Sequence, residues 1–457
     1  VFKKVLIANR GEIAVRIIRA CRELGVRTVA VYSDADRDSM HVQLADEQVC
    51  IGPHQPIRSY LNIAAVISAA EVTNADAIHP GAGFLAENAQ FAEACEDCRI
   101  TFVGPTADNI RTMGNKVDAR KAVIKSGVPL VPSSSRTRRR SRRSVQEVIE
   151  TEEEALTIAR DIGYPVMIKA AEGGGGRGMR AAHNDVSLVA LFRTTRAEAE
   201  AAFGNADVYI EKLIQHAKHI EFQVLADQHG NVVHLGERDC SIQRKHQKLV
   251  EETPSLLEDK CRDEMARHVI RATRAIGYQS VGTIEFLVED DGTHYFLEMN
   301  TRIQVEHTIT EMVTGLDLVK WQFRVAAGEK LDFDQRDVRV RGHAIECRVN
   351  AEDPAQGFAP SPGKVTTYRV PGGPGIRVDS HAYQGYTVSP FYDSLLAKLC
   401  AHGDDRAEAI ARMRRALDEY VVEGIHTTIP FHRRVMANPA FVAGNVHTDF
   451  LETSTSL

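Results

Sequence analysis

Between Thr283 and His307 the chain reads TIEFLVEDDGTHYFLEMNTRIQVEH, and the spacing alone sets two carboxylates face to face. Asp291-Gly292 is a hairpin turn signal between two β-rich runs. A two-residue turn centred there pairs Phe286 with Leu297, Ile284 with Met299 and Glu285 with Glu298. Ile284, Phe286, Leu297 and Met299 then make one apolar face, and the glutamates oppose each other on the other. Like charges directly across a ladder destabilise a sheet, so this face calls for a counter-charge, which a divalent metal ion would supply. The same parity runs on through Asn300, Arg302, Gln304 and Glu306, a polar row on an extended chain with Met299, Ile303 and Val305 on its other side. Oxygen ligands, a fixed cation and a further carboxylate suit Mg²⁺ and phosphate chemistry; a solvated polar face is the alternative.

The elements that must hold these residues follow from periodicity. KKVLIA (3–8) reads as a buried strand, Glu12 to Leu24 as a helix with Ile13, Ile17, Cys21 and Leu24 on one stripe, and 28–32 as the next strand. A helix near 61–70 and a strand at 75–80 complete a β-α-β series, which predicts a Rossmann-like, doubly wound α/β domain over 1–113. The turn Asn9-Arg10-Gly11-Glu12 lacks the dinucleotide glycine fingerprint. Strands are also expected at 165–170, 209–213, 220–227 and 231–237. The loop EGGGGRGMR (172–180) is no Walker loop, and its four bare amides suit a flap closing on phosphate. A last region over 338–450 opens with RGHAIECRVN, where Ala344, Glu346, Arg348 and Asn350 share a face.

With a net charge of −6 there is no overall attraction to nucleic acid, and no apolar run is long enough to span a membrane, so a cytoplasmic enzyme is expected. Eight scattered cysteines fit reduced thiols. Six arginines between 136 and 143 repel one another without an apolar anchor, which predicts an exposed segment there.

IANRGEIA (7–14), ADAIHPG (75–81), MGNK (113–116), PVMIKAAEGGGGRGMR (165–180), ERDCSIQRKHQK (237–248), EMNTRIQVEH (298–307) and GHAIECRVNAED (342–353) occur in that order. Together they resemble the biotin carboxylase component of the biotin-dependent carboxylases, in the ATP-grasp superfamily, over nearly the whole chain. The resemblance implies a central ATP-grasp region over 114–330 with a mobile lid at about 131–204, and an α+β C-terminal domain. It implies ATP-dependent carboxylation of biotin on a separate biotin carboxyl carrier protein, by way of carboxyphosphate, with two Mg²⁺ or Mn²⁺ ions. Carboxyltransferase subunits and a homodimer are the implied partners. With no biotinyl motif or carboxyltransferase region in these residues, the chain looks like the free subunit of an acetyl-CoA carboxylase serving fatty acid synthesis; a propionyl-CoA, other acyl-CoA or pyruvate carboxylase is the alternative.

Roles carried over by the resemblance are specific. Lys116 and Lys169 neutralise ATP phosphates and Gly175-Gly176 form the flap. Glu211, Lys212 and Leu213 read adenine, with His219, Gln243 and His246 completing the nucleotide site. Glu285, Glu298 and Asn300 hold metal. Lys248, Arg302, Gln304 and Val305 form the bicarbonate pocket, Glu306 is the general base and Arg348 stabilises the biotin enolate. A carboxylate base suits its task if burial raises its pKa while a nearby cation limits the rise. Arg16, Arg19 and Glu23 are expected at the dimer interface. Two departures stand out: Ala82 replaces the family's usual tyrosine in GAGFL, which predicts local loosening, and the arginine block matches no family motif. The rivals are another ATP-grasp ligase, a non-catalytic nucleotide binder and a nucleic-acid binder; Arg302 to His307 with Arg348 disfavours the first, the intact charged set the second, and the acidic total the third.

Overall fold

The computed structural model describes residues 2–133, 148–170 and 178–454. The arginine block, Gly175 and Gly176 lie outside these residues. In the first unit β1 (Lys4–Ile7), β2 (Arg27–Ser33), β3 (Glu47–Gly52), β4 (Ala77–His79) and β5 (Thr101–Phe102) form an all-parallel sheet in the order β3-β2-β1-β4-β5. Its strands read as continuous apolar runs because both faces are covered. Val5 and Ile7 pack with Ile13, Ile17 and Cys21 of the helix Gly11–Glu23. Leu6 and Ala8 pack with Val66, Ile67 and Ala70 of the helix Ile63–Thr73 on the opposite face. This is the expected doubly wound sheet.

The loosening expected at Ala82 is absent. The Asn9 amide donates to the carbonyls of Pro80 at 2.7 Å and Ala82 at 2.9 Å, and the Phe84 ring stacks on Tyr60 at 4.9 Å. Backbone bonds and the next aromatic hold this turn, so the missing tyrosine leaves it in place.

A small antiparallel sheet, β7-β6-β8, joins β6 (Val166–Ala170), β7 (Met179–Ala182) and β8 (Val208–Lys212). The helices Glu152–Ile162 and Asp185–Phe203 cover it, with Ile158, Val166, Ile168, Leu188 and Ile210 in the core. Both start on oxygen caps: Thr151 accepts from the amide of Glu154, and Asn184 forms a capping box with Ser187.

The site rests on an antiparallel sheet of eight strands. β13 (His294–Asn300), β12 (Ser280–Val288), β9 (Lys218–Ala226), β10 (Val232–Arg244), β11 (Gln247–Thr253) and β14 (His343–Asn350) run in that order, followed by Leu395–Gly403 and Ile376–Ser380. β9 shows the logic: Ile220, Phe222 and Val224 enter a core with Met265 and Val269 of the helix Asp259–Ala275, while Glu221 and Gln223 face the other way. β10 runs past Glu237 to Arg244 through irregular pairings, further than its apolar pattern indicated.

The β12–β13 hairpin corrects two expectations. Glu289 and Thr293 pair around Asp290, Asp291 and Gly292, a three-residue loop rather than two, with Gly292 at φ +84°. Phe286 therefore pairs with Phe296, not Leu297, and Phe296 takes the core position. A bulge between Phe286 and Glu285 then absorbs one residue, so Ile284 still meets Met299 and Glu285 still meets Glu298. Beyond Asn300 the chain is not extended. It bends through 301–306 into the helix His307–Thr314, with Thr301 donating its amide to Glu87 at 3.0 Å. That bend sends Gln304 and Glu306 inward, Ile303 into the neighbouring core, and Arg302 to the rim.

Candidate active site

The polar face of the long sheet gathers its charge in rows. Glu298, Glu285 and Glu221 stand side by side on β13, β12 and β9, and Arg238 of β10 closes the row opposite Glu221. On the next strands Glu251 of β11 lies directly opposite Glu346 of β14. Sequence periodicity anticipated the Glu285 and Glu298 pair, and the alternation in HIEFQVLA could have added Glu221. Glu251 carried no such signal, because its meaning comes from a pairing between strands almost a hundred residues apart.

Lys248 is the hub. Its Nζ reaches Glu221 at 2.5 Å, Glu285 at 2.9 Å and Glu306 at 2.7 Å. Arg348 spans Glu251 at 2.6 Å and Glu306 at 2.9 Å, and Arg238 holds Glu221 at 2.5 Å. Asn300 and Gln304 each donate an amide hydrogen to Glu285, at 2.8 and 2.9 Å, and His219 Nε2 lies 3.0 Å from its other oxygen. Arg302 bonds Glu87 at 2.8 Å and the Asn300 side-chain oxygen Oδ1 at 3.1 Å, which holds it at the edge of this cluster. The Val305 carbonyl accepts from the buried Lys398 at 3.1 Å, which fixes the turn just before Glu306.

The electrostatics depart from the sequence expectation for Glu306. Burial alone would raise its carboxyl, but Lys248, Arg348 and Arg238 together hold it well below the ordinary carboxylate range. Glu285 is held low in the same way, burial being outweighed by Lys248 and His219. The opposite holds further in. Burial pushes Glu251 up to about 8 and Glu346 up to about 7 despite Arg348 and Lys398, and it raises Glu221 as well. Five buried carboxyl groups thus share four cations, Lys248, Arg348, Arg238 and Lys398. The set fits an additional hard cation at Glu285, Glu298 and the Asn300 oxygen, an all-oxygen donor group of the kind Mg²⁺ and Mn²⁺ take.

A second cluster lies on the small sheet. The Glu211 carboxylate pairs with Lys169 and, at 3.0 Å, with Arg120, whose other nitrogen bonds the Ser133 hydroxyl at 3.0 Å. Lys212 turns away: its Nζ donates to the carbonyls of Gly163 and Tyr164 at 3.0 and 2.9 Å, bracing the turn before β6. The Lys212 and Leu213 amides are donated to Pro132 at 2.8 Å and Pro165 at 3.1 Å. Gln243 pairs with Lys248 across β10 and β11, and His246 is exposed in the turn joining those strands. Lys116 opens the helix Lys116–Lys125, and its side chain lies outside the described residues.

The expected interface charges are partly committed elsewhere. Arg16 is buried and bonds Glu311 at 2.9 Å and Asp317 at 2.6 Å, and Glu23 pairs with Lys320 at 2.5 Å. Only Arg19 of the three is exposed without such a tie among the described residues.

Three family models match in series: the biotin carboxylase N-terminal domain over 1–110, the carbamoyl-phosphate synthase L chain ATP-binding domain over 116–334, and the biotin carboxylase C-terminal domain over 346–453. The chain is 56% identical to a biotin carboxylase of Nostoc over 99% of each chain. Among solved structures, a biotin carboxylase of Campylobacter jejuni in complex with a β,γ-ATP ligand superposes with a TM-score of 0.94 at 46% identity, covering 99% of each chain. The biotin carboxylase domain dimer of Hydrogenobacter thermophilus 2-oxoglutarate carboxylase, complexed with MgADP, ADP and bicarbonate, gives 0.93 at 49% identity over 99% of this chain and 97% of that one. With matching models end to end and a site built on the sheet they share, the chain belongs to the biotin carboxylase family of ATP-dependent ligases, within the ATP-grasp superfamily.

Proposed function

We propose that the chain uses ATP to convert bicarbonate to carboxyphosphate and carboxylates biotin carried on a biotin carboxyl carrier protein. We further propose that this is the first half-reaction of an acetyl-CoA carboxylase, in units spanning 1–113, 114–330 and 338–450, acting as a homodimer. The observation that carries the reading is the position of Glu306 between Lys248 and Arg348, with a metal-competent carboxylate row beside it. When bound, Mg²⁺ at Glu285, Glu298 and Asn300 supplies charge neutralisation to the polyphosphate.

The protein's own groups then divide the work. Lys169, and Lys116 from its helix, offer cations for phosphate oxygens, and Glu211 keeps Lys169 oriented until the nucleotide competes for it. Lys248, Arg302 and Arg348 offer positive charge to a small planar anion, with Gln304 beside Glu285. Bicarbonate entering there draws on Lys248 and Arg348, the cations that depress the Glu306 pKa. Sharing them lets the pKa rise, so Glu306 becomes a stronger base once its substrate is in place and takes the bicarbonate proton. The freed bicarbonate oxygen attacks the γ-phosphorus of ATP as the bond to ADP breaks; the carboxyphosphate so formed splits into CO₂ and phosphate, the phosphate takes the biotin N1′ proton, and N1′ bonds the CO₂ while Arg348 stabilises the enolate oxygen that charges as biotin loses that proton. Glu251 beneath Arg348 aims that guanidinium.

ADP release from MgATP and bicarbonate, followed with and without free biotin, tests the reading. Stimulation by biotin with accumulation of carboxybiotin is expected; stimulation by ammonia or an amino acid, with indifference to biotin, would assign another ATP-grasp reaction. Copurification with carboxyltransferase subunits and acyl-CoA-dependent discharge of carboxybiotin tests the acceptor.

A further inference from the structure

Among the described residues, three groups of His, Cys, Asp and Glu are close enough to hold a metal ion, and two of them share Glu221 and belong to the catalytic cluster. The third lies on the other face of the same hairpin. Glu264 and His268 sit one turn apart on the helix Asp259–Ala275, and His294 begins β13 opposite Val288, on the core side with Phe286. One ligand atom from each of the three lies within 4.8 Å of the others. We propose that Glu264, His268 and His294 form a second metal site, separate from the nucleotide site, for a borderline divalent transition metal of the Zn²⁺ class.

The tautomers carry the argument. His294 Nδ1 is 3.2 Å from the Gly292 carbonyl oxygen, which can only accept, so this nitrogen bears the proton and Nε2 presents its lone pair. That lone pair accepts from His268 Nδ1, 3.0 Å away, and a metal would take the place of this shared proton, His268 keeping its N–H at Nε2 instead. An imidazole that donates one N–H to a backbone carbonyl and offers the other nitrogen is the usual setting of a metal-bound histidine. Two nitrogens on tetrahedral Zn²⁺ stand about 3.3 Å apart at bond lengths of about 2.0–2.1 Å, so this pair needs to open by only a few tenths of an ångström. Both rings are buried, so neither nitrogen pair is claimed by bulk water. Glu264 is exposed and supplies the anionic third ligand from the solvent side, leaving a coordination position for water. The donor set, two imidazoles and one carboxylate, differs from the all-oxygen set across the sheet, so the two sites select different ions. A metal here ties the helix to the turn at Gly292, whose carbonyl also accepts from Cys261 at 3.4 Å.

The test uses the full chain, stripped with a chelator and titrated with Zn²⁺ by calorimetry and with Co²⁺ by its visible ligand-field absorption. One equivalent is expected to survive Glu285→Gln, which disables the catalytic cluster. It should weaken by at least about tenfold in Glu264→Gln and vanish in His268→Asn. Zn²⁺ should raise the Tm of the wild type and of Glu285→Gln but not of His268→Asn. Because Glu264 is exposed, Glu264→Gln keeps the fold even if His268→Asn does not, and unchanged affinity in Glu264→Gln would overturn the proposal. So would the absence of any equivalent in Glu285→Gln.

Discussion

At the scale of single residues, position on one face of a sheet decides role. Glu306 and Glu298 are both acidic and lie eight residues apart, yet one is locked between two cations and the other stands beside Glu285 in a carboxylate row. Glu306→Gln is expected to keep nucleotide affinity and lower turnover by about 10²-fold or more, the scale of a lost general base. Glu298→Gln should instead weaken MgATP binding and recover partly at high Mg²⁺. Steady-state kinetics at varied Mg²⁺ separate the two, and identical pure rate defects would contradict the division. Lys398 is a second informative residue: fully buried, it holds Glu12 at 2.9 Å and the Val305 carbonyl at 3.1 Å. Lys398→Met leaves Glu12 buried and unpaired, a loss of about 3–5 kcal/mol. Replacing Glu12 by Leu as well should restore much of the Tm, and a double variant no better than the single would show that the pair does not act as a unit.

At the scale of elements, the hairpin shows what sequence can and cannot reveal. Alternation found the two strands and put both glutamates on the polar face, because the period within each strand does not depend on the loop. It missed the third loop residue and the compensating bulge, whose two errors cancel at Glu285 and Glu298. The rows formed with Glu221, Arg238 and Glu251 were beyond reach for a different reason: they depend on which strands become neighbours, and no local period encodes that. The turn after Asn300 escaped as well, since its inward bend follows from Glu87, more than two hundred residues away in sequence. Because the bulge and not the loop sets the register, deletion of Asp290 should leave a two-residue Asp-Gly turn and the same facing pair. Its exposed bond to His447 is of the kind that contributes little. Turnover and Mg²⁺ dependence within about twofold of wild type are expected; loss of Mg²⁺ dependence would show that the loop governs the register.

At the scale of the whole molecule, buried titratable groups set opposing pH slopes. Burial holds His79 and His381 at about 3 and His41 and His432 at about 4, so below about pH 6.5 the unfolded chain takes up protons that the folded chain refuses. Stability therefore falls as pH drops through that window, by about 1.4 kcal/mol per pH unit for each proton. Glu251 and Glu346 act in the other direction. Raised to about 8 and about 7, they keep protons the unfolded chain has already lost, so stability also falls as pH rises toward 8. A Tm maximum between about pH 6 and 7.5 is expected, with Glu251→Gln flattening the alkaline limb; an unchanged limb would remove Glu251 from the account. The eight-stranded sheet carries a last consequence, for modularity. β11 and β14 belong to different family segments yet are hydrogen-bonded neighbours, with Glu251 opposite Glu346 at the seam. The C-terminal segment is thus not a detachable cassette. Expressed as two fragments divided between the helix Leu318–Ala326 and β14, each half would present a raw sheet edge, and activity should return only when the halves are mixed and rejoin along that seam, while a chimaera exchanging β14 and everything after it with a relative would have to match the edge of β11 before it could match its chemistry.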